Sequence, residues 1–385
     1  MVNVSRSMGD ASGHGEVDGF VGRIPVRNLW LLMLYASDLY RTAGVGKVDV
    51  EDAPDDLPDL IAEVLAGAAE TRLRKRLSFG YRRRNLELNR LRGRIDILST
   101  ERHQLLARGK IACQFDELTV DTPRNRLVRA ALDTVSRLVS RQSLAHRCRT
   151  LARDMTAMGV AQSIPARTEL SVDRLGRHDA HDAQMIAAAR LALDMALPLE
   201  STGPNAMSLP LREERWVRNL FERAVGGFYQ VALSHQGWRV RTGAPLAWPV
   251  EGQTAGIAAI LPGMRTDIIL DHPDLGRRIV VDTKFTSVLT SGWYREQTLR
   301  SGYIYQMYAY LRSQVDRDDP LARCAEGVLL HPAVGASVDE SVVMQGQRLR
   351  FSTVDLTAQT SDIRRQLLRV CETAPGDGDR GPRDR

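Results

Sequence analysis

Apolar residues along this chain follow two kinds of pattern. Over residues 24–40, "IPVRNLWLLMLYASDLY", they are dense enough to predict a helix buried on most sides. A three- and four-residue period begins near Leu57, after Pro-Asp turn chemistry, and returns from Thr122 to Met158, where Pro123 suits a helix start. Further helices are expected over about 179–197, 211–232 and 301–315. Between them, "SFGYRRRNLELNRLRGRIDILST" alternates and predicts strands, with Gly93 at a turn or bulge. Short apolar runs predict strands near 238–241, 265–271, 278–285 and 326–332.

The order helix, three strands, helix, strand in the second half is an α/β pattern. The fold class expected is therefore α/β (α+β). A mixed helical/β domain over residues 21–205 precedes a domain over 206–372, whose central mixed sheet is flanked by helices. Turn-rich "LESTGPNAMSLP", 199–210, marks the boundary. The polar ends, 1–20 and 373–385, are expected to be disordered. No internal repeat is present.

Composition narrows the function classes only a little. The chain has 385 residues, 43% of them hydrophobic and 26% charged, enough for two or three domains with real cores. Its net charge of +6 favours a polyanionic partner weakly. Arginine outnumbers lysine and clusters, as at Arg82-Arg83-Arg84. A planar fork suits phosphate, although a GC-rich genome gives the same enrichment. Cys113, Cys148, Cys324 and Cys371 are dispersed, which argues against a zinc site or disulfide framework and for a reducing, cytoplasmic setting. No signal peptide and no run of about 18 apolar residues is visible, so no membrane span is expected.

Two segments imitate ligand motifs. "AGVGKV", 43–48, resembles the end of a phosphate-binding loop, but Arg41 and Val48 stand where that motif needs Gly and Ser or Thr. No nucleotide site is expected in this chain. "HDAHDAQ", 178–184, sets His178 and Asp182 four apart, and suits a polar helix start better than a metal site.

The segment "RTDIILDHPDLGRRIVVDTKF", 265–285, places charge inside the most strand-like sequence of the chain. Side chains alternate along a strand, so Asp282 and Lys284 share a face and Thr283 points the other way. If the two strands pair as a hairpin around "DHPDLGRR", Asp267 approaches Asp282. Two adjacent carboxylates repel, and a hard divalent cation such as Mg²⁺ removes the repulsion. Lys284 would then stabilise charge near a scissile phosphate. The competing interpretation is a buried Asp–Lys ion pair or a solvated edge strand. Glu222, in "NLFERAV", is either a third carboxylate aimed at the cation or a surface residue beside Arg218 and Arg223. Gln306 and Tyr310, four apart, lie on one helix face and can hold Lys284 or a phosphate. Tyr303, Met307 and Leu311 read as core packing. Arg295, Arg300 and Ser301 suit backbone phosphates.

Taken together, Asp267, Asp282-Thr-Lys284 and Gln306-x-x-x-Tyr310 resemble the PD-(D/E)XK nuclease superfamily. In the first half, "IPVRNLWLLMLYA", "LRGRIDI" and "CQFDELTVDTPRNRLVRAAL" look like signature segments of the McrC family, and the resemblance spans about residues 22–335. That family supplies the nuclease subunit of McrBC-type modification-dependent restriction systems. The resemblance implies a PD-(D/E)XK-type domain that cleaves double-stranded, base-modified DNA with one or two Mg²⁺. Asp267 and Asp282 match the metal-binding acids, with a backbone carbonyl near Thr283. Lys284 matches the catalytic lysine and Glu222 the helix glutamate. Thr266 stands where the motif has proline. The first half would dock on a McrB-like AAA+ GTPase, stimulate its hydrolysis and leave base recognition to it. "LRGRID", with Arg92 and Arg94, is either part of that docking surface or a structural hairpin. Two rival functions remain: a non-catalytic adaptor that regulates an AAA+ motor, and a stand-alone defence or repair nuclease.

Overall fold

The structure, a computed structural model, describes residues 20–21, 24–42, 56–172, 180–200, 210–290, 298–315, 319–333 and 337–372. The chain forms two compact units, one of residues 58–197 and the other of 1–57 together with 198–385. The expected linear division at about residue 205 therefore differs from the observed one at its start. Helix α1, Val26–Tyr35, groups with the C-terminal residues. The reason lies in its sequence. Leu29, Trp30, Leu31, Leu32 and Leu34 leave no polar face, so the helix is buried all round. Its one buried amide, Asn28, donates to the carbonyls of Leu356 at 2.7 Å and Ala358 at 3.1 Å.

The 58–197 unit opens on α2, Leu57–Lys75, followed by β1, Gly80–Leu88, β2, Arg94–Ile95, and β3, Ile111–Thr119. The three strands form an antiparallel sheet in the order β1-β3-β2. The period from Thr122 to Met158 resolves into two helices, α3, Pro123–Val135, and α4, Gln142–Ala157. Asp59 secures the turn at the break. Its carboxylate accepts from the backbone N–H of Ser140 at 2.7 Å, the Ser140 hydroxyl at 2.9 Å and the Arg141 guanidinium at 2.8 Å, and so staples the turn before α4. Helix α5, Ala180–Glu200, closes the unit.

The other unit continues with α6, Pro210–Ala232, then β4, Arg239–Thr242, β5, Pro245–Leu246, and β6, Met264–Arg265. The hairpin β7, Ile268–His272, and β8, Arg277–Thr283, follows. After it come α7, Ser301–Arg312, β9, Glu326–Pro332, β10, Asp339–Met344, β11, Gln347–Val354, and α8, Thr360–Leu368. Six strands make one mixed sheet in the order β10-β11-β9-β8-β7-β4. Strands β8, β9 and β11 run parallel, while β7, β4 and β10 are antiparallel to their neighbours. Strand β7 is buried along its whole length, through its apolar Ile268-Ile269-Leu270 and on through Asp271 and His272.

Helix α7 seals one face of this sheet. Met307, Tyr310 and Leu311 pack with Val280, Leu329, Leu349 and Phe351 in one core. Gly327 on β9 allows the approach, because a Cβ there would lie 2.6 Å from Met307 Cγ. Helix α6 meets α1 through a similar device: a Cβ on Gly227 would overlap the Tyr35 carbonyl oxygen. No helix among the described residues is long and apolar enough to cross a membrane.

Candidate active site

The β7–β8 hairpin fixes the geometry of the acids. Its last paired residues are Ile268 and Val281, so Asp267 and Asp282 follow directly at the open end. Asp267 lies just before β7, where its backbone carbonyl accepts from Gly243 at 2.7 Å. One carboxylate oxygen, Oδ2, accepts from the Thr283 backbone N–H at 2.7 Å and from the Thr283 hydroxyl at 2.8 Å. Thr283 was expected to point away from the acids. It does occupy the other strand face from Asp282, but Asp267 sits beyond the end of β7, where that hydroxyl reaches it. Thr283 thus orients one carboxylate by two donors.

Asp282 is 2% exposed and points to the face covered by α7. Lys284 shares that face, as strand alternation requires, and its Nζ lies 2.7 Å from Asp282 Oδ2. The pair is ionic, and no well-aligned hydrogen bond reaches that buried oxygen. The same ammonium donates to Gln306 Oε1 at 3.0 Å, and Gln306 Nε2 donates to Tyr310 OH at 2.6 Å. Gln306 and Tyr310 stack one helical turn apart on α7, so their spacing delivers a relay that ends on Lys284. Met307 and Leu311 are core residues, as expected.

Electrostatics separates these acids from an ordinary buried pair. Burial, and then the negative charge of Asp267, push the Asp282 carboxyl up to about 6, against the counter-pull of Lys284. Glu222, half-buried on α6, is also raised, first by burial and then by Asp267, with a smaller push from Asp282. Three carboxylates therefore sense one another. Asp271, in the same strand as this site, shows the contrast. It is paired with Arg278 at 2.6 Å and Arg241 at 2.9 Å, and Arg278 also binds Asp319 at 2.6 Å. Those acids are neutralised by guanidinium groups; Asp267 and Asp282 retain mutual repulsion.

That repulsion and the hard oxygen donors fit a divalent cation such as Mg²⁺. The donor set is a carboxylate pair: among the described residues, no group of three or more His, Cys, Asp and Glu side chains is arranged to hold a metal. Glu222 is coupled to the pair by charge.

The remaining expected residues divide. Arg300 and Ser301 stand at the start of α7, and the Arg300 charge contributes to lowering the pKa of buried His331. Arg295, His178 and the 43–48 loop lie outside the described residues. Asp182 is buried and bridges Arg72 at 3.2 Å and Arg124 at 3.6 Å, an ion-paired structural role. Gly93 has φ +70°, and a Cβ there would lie 2.5 Å from the Gln114 carbonyl, so "LRGRID" needs its glycine to form the β2 edge. Arg92 stacks 4.0 Å over the Phe115 ring.

"FDELTVDTPRNR" also proves architectural. Thr122 caps α3 by accepting from Asn125 N at 3.2 Å. Fully buried Asn125 donates to the carbonyls of Ser78 at 2.9 Å and Val120 at 2.7 Å. Asp121 accepts from Ala161 N at 2.9 Å and pairs with Arg126 at 3.2 Å. The motif is a knot joining the β3 end, the α3 start and two remote loops.

Sequence reasoning missed three polar residues beside Lys284. The Tyr303 ring lies 5.1 Å from Nζ, its hydroxyl shares a 3.3 Å hydrogen bond with Thr286 Oγ1, and His331 Nδ1 lies 2.9 Å from the Thr286 carbonyl. Position three before Gln306 was a usable signal for Tyr303, but its apolar neighbours on α7 masked it. His331 comes from a strand 47 residues beyond Lys284, and only the parallel β8–β9 register brings it alongside.

A family described as McrBC 5-methylcytosine restriction system component matches residues 6–321. The Escherichia coli (strain K12) protein "Type IV methyl-directed restriction enzyme EcoKMcrBC" is 23% identical over 350 residues, covering 90% of this chain and 97% of that protein. Among solved structures, similarity extends to the refined half-complex from the tetradecameric assembly of Thermococcus gammatolerans McrB AAA+ hexamers with bound McrC. There the TM-score is 0.41 at 14% identity, over 90% of this chain and 76% of that one. A second match is to the Thermococcus gammatolerans McrBC complex, with a TM-score of 0.29 at 16% identity, over 46% of this chain and 58% of that one. With its matched segment running over most of the sequence, the chain belongs to the family of McrBC 5-methylcytosine restriction system components.

Proposed function

We propose that this chain is the Mg²⁺-dependent DNA endonuclease subunit of a McrBC-like restriction complex in the cytoplasm. It would act on double-stranded, base-modified DNA when assembled with a McrB-like AAA+ GTPase, whose hydrolysis it stimulates. The observation that carries this reading is the convergence of Asp267, Asp282 and Lys284 at one end of the β7–β8 hairpin, with Gln306 and Tyr310 tied to the lysine.

Each residue has a task in phosphodiester hydrolysis. Asp267 and Asp282, with a backbone carbonyl near Thr283, would hold the cation. The two Thr283 donors keep Asp267 oriented. When bound, Mg²⁺ polarises the phosphate and activates water for attack. Lys284, whose ammonium lies 2.7 Å from Asp282 Oδ2, orients the attacking water and stabilises charge developing on the phosphate. Gln306, held by Tyr310, gives the ammonium a second acceptor beside Asp282. Glu222, with its raised pKa, is placed to accept or return a proton at the edge of the site. The modified base is read by the partner, and this chain supplies the cut.

The test is cleavage of methylated plasmid by the assembled complex with GTP and Mg²⁺. Wild type cuts, and Asp282→Ala lowers the rate by at least about a thousandfold, as expected when a cation ligand is lost. Equal cutting by both proteins would refute the assignment and favour an adaptor.

A further inference from the structure

One arginine beside the acid pair carries a charge that no carboxylate matches. Elsewhere in the sheet, Arg241 and Arg278 bind Asp271, Arg277 binds Glu326 at 3.2 Å, and Arg350 binds Asp339 at 2.6 Å. Arg265, at the end of β6 and two residues before Asp267, is exposed. Its Nε donates to the Gly243 carbonyl at 2.9 Å, and it makes no ion pair among the described residues. The N–H of the same glycine donates to the Asp267 carbonyl at 2.7 Å. One residue therefore ties the guanidinium to the backbone of the acid. Gly243 suits this junction, because its φ is +59° and a Cβ there would overlap Arg265 Nη2. The adjoining rung, from the Thr266 N–H to the Ala244 carbonyl at 3.0 Å, fixes the register.

The guanidinium acts on the acids without closing on them. The Glu222 carboxyl, raised first by burial and then by Asp267, is drawn back down by Arg265 more than by Lys284. An arginine whose only task was to neutralise these acids would bind one of them, as Arg278 binds Asp271 at 2.6 Å. Arg265 gives its Nε to a carbonyl instead, and its Nη donors are left without a carboxylate. The planar fork of an arginine matches phosphate oxygens. A cation at the acid pair serves one phosphate, and the neighbouring phosphates of the same strand need partners of their own.

We propose that Arg265, pinned to the Gly243 carbonyl, is a substrate-binding residue that takes a DNA backbone phosphate next to the one being cut. That the neighbouring phosphate is cut rests on the nuclease function proposed above; the phosphate contact does not. The contact is read directly by arginine modification. The full-length chain is treated with a dicarbonyl reagent at low salt, with and without a saturating short DNA duplex, and modified arginines are located by peptide mass spectrometry. Ca²⁺ replaces Mg²⁺, since it takes the same oxygen ligands. The duplex should slow modification of Arg265 by at least about fivefold, because a phosphate engages the reactive nitrogens. Arg365, exposed on α8, should be unaffected. Arg265→Gln should reduce the slope of log K against log salt for duplex binding by about one, the loss of a single phosphate contact, and Arg265→Lys should retain it.

In the assembled complex with GTP and Mg²⁺, Arg265→Gln lowers the cleavage rate about tenfold, the size of one charge-assisted hydrogen bond. Calorimetric Mn²⁺ binding by the same variant matches wild type. Equal modification of Arg265 with and without duplex, or equal protection of Arg265 and Arg365, would overturn the proposal. Loss of Mn²⁺ binding in Arg265→Gln would overturn it too, by showing that the arginine only supports Asp267 through Gly243. If Arg265 is protected while no protein cuts DNA, the phosphate contact stands and the nuclease reading fails. If wild type cuts while Arg265 stays unprotected, the nuclease reading stands and the phosphate contact fails. The protection measurement uses the wild-type chain, so it decides the matter even if a variant does not fold.

Discussion

Asp282 concentrates the energetics of the site in one residue. It is buried, the charge of Asp267 acts on it, and its own charge is only partly offset by Lys284. A carboxyl whose pKa is raised on folding binds its proton more tightly in the folded state. Metal-free stability therefore falls as pH rises from the unfolded value near 3.8 through the folded value of about 6, and stays low above it. That shift corresponds to roughly 3 kcal/mol at neutral pH. Replacement by Asn removes the charge but also strands Lys284, so the net gain is smaller. In urea unfolding with chelator, Asp282→Asn is expected to exceed wild type by about 1–2 kcal/mol at pH 8 and to match it near pH 4. A gain of equal size at both pH values would mean that the substitution acts through packing, not charge. Functional sites hold such unfavourable groups because a ligand compensates for them.

Secondary-structure elements convert sequence signatures into placement, and here the sequence is unevenly legible. The β7–β8 hairpin was readable because two apolar runs flank a turn-rich loop, and pairing them determines which acids meet. The Gln306–Tyr310 relay was readable because a four-residue spacing fixes one helix face. Strand β3 was not read as one, because "IACQFDELT" alternates weakly and is half-buried on a small sheet. Strands β10 and β11 and helix α8 were not anticipated either. Strand β10 is an exposed edge of mixed polarity, and β11 carries buried Arg350, whose charge is matched by Asp339 at 2.6 Å across the hairpin. Partners distant in sequence hide such residues from periodicity.

The same lesson governs "FDELTVDTPRNR". Its polar residues suggested function, and the structure gives them a structural task. Asn125→Ala removes the amide bonds to the Ser78 and Val120 carbonyls in the interior, and only the Val120 carbonyl keeps its bond from the Thr122 N–H at 2.9 Å. It should destabilise the chain by roughly 2–4 kcal/mol. Equilibrium unfolding of the purified variant measures this; a change below about 0.5 kcal/mol would contradict the structural assignment.

At the scale of the whole molecule, the chain consists of two units with different contents. The 265–310 site residues and Glu222 all belong to the unit of 1–57 with 198–385, while the McrC-like "LRGRID" and "FDELTVDTPRNR" segments lie in the unit of 58–197. Separate units allow separate tasks. If the second unit engages the motor, Asp282→Ala should stimulate the GTPase partner within about twofold of wild type while failing to cut. A folded Asp282→Ala protein that lost both activities would show that the tasks are not divided in this way. The helix α1, which sequence order assigns to the first half and packing assigns to the C-terminal residues, marks where linear reading stops being a guide to domain structure.

The central claim is that Asp267 and Asp282 together bind a hard divalent cation. Calorimetric titration of the full-length chain with Mn²⁺, which shares the oxygen preference of Mg²⁺, addresses it without DNA, GTP or partner. The account predicts saturable binding by wild type and none by the Asp267→Asn/Asp282→Asn double variant. Indistinguishable binding curves for the two proteins would contradict it.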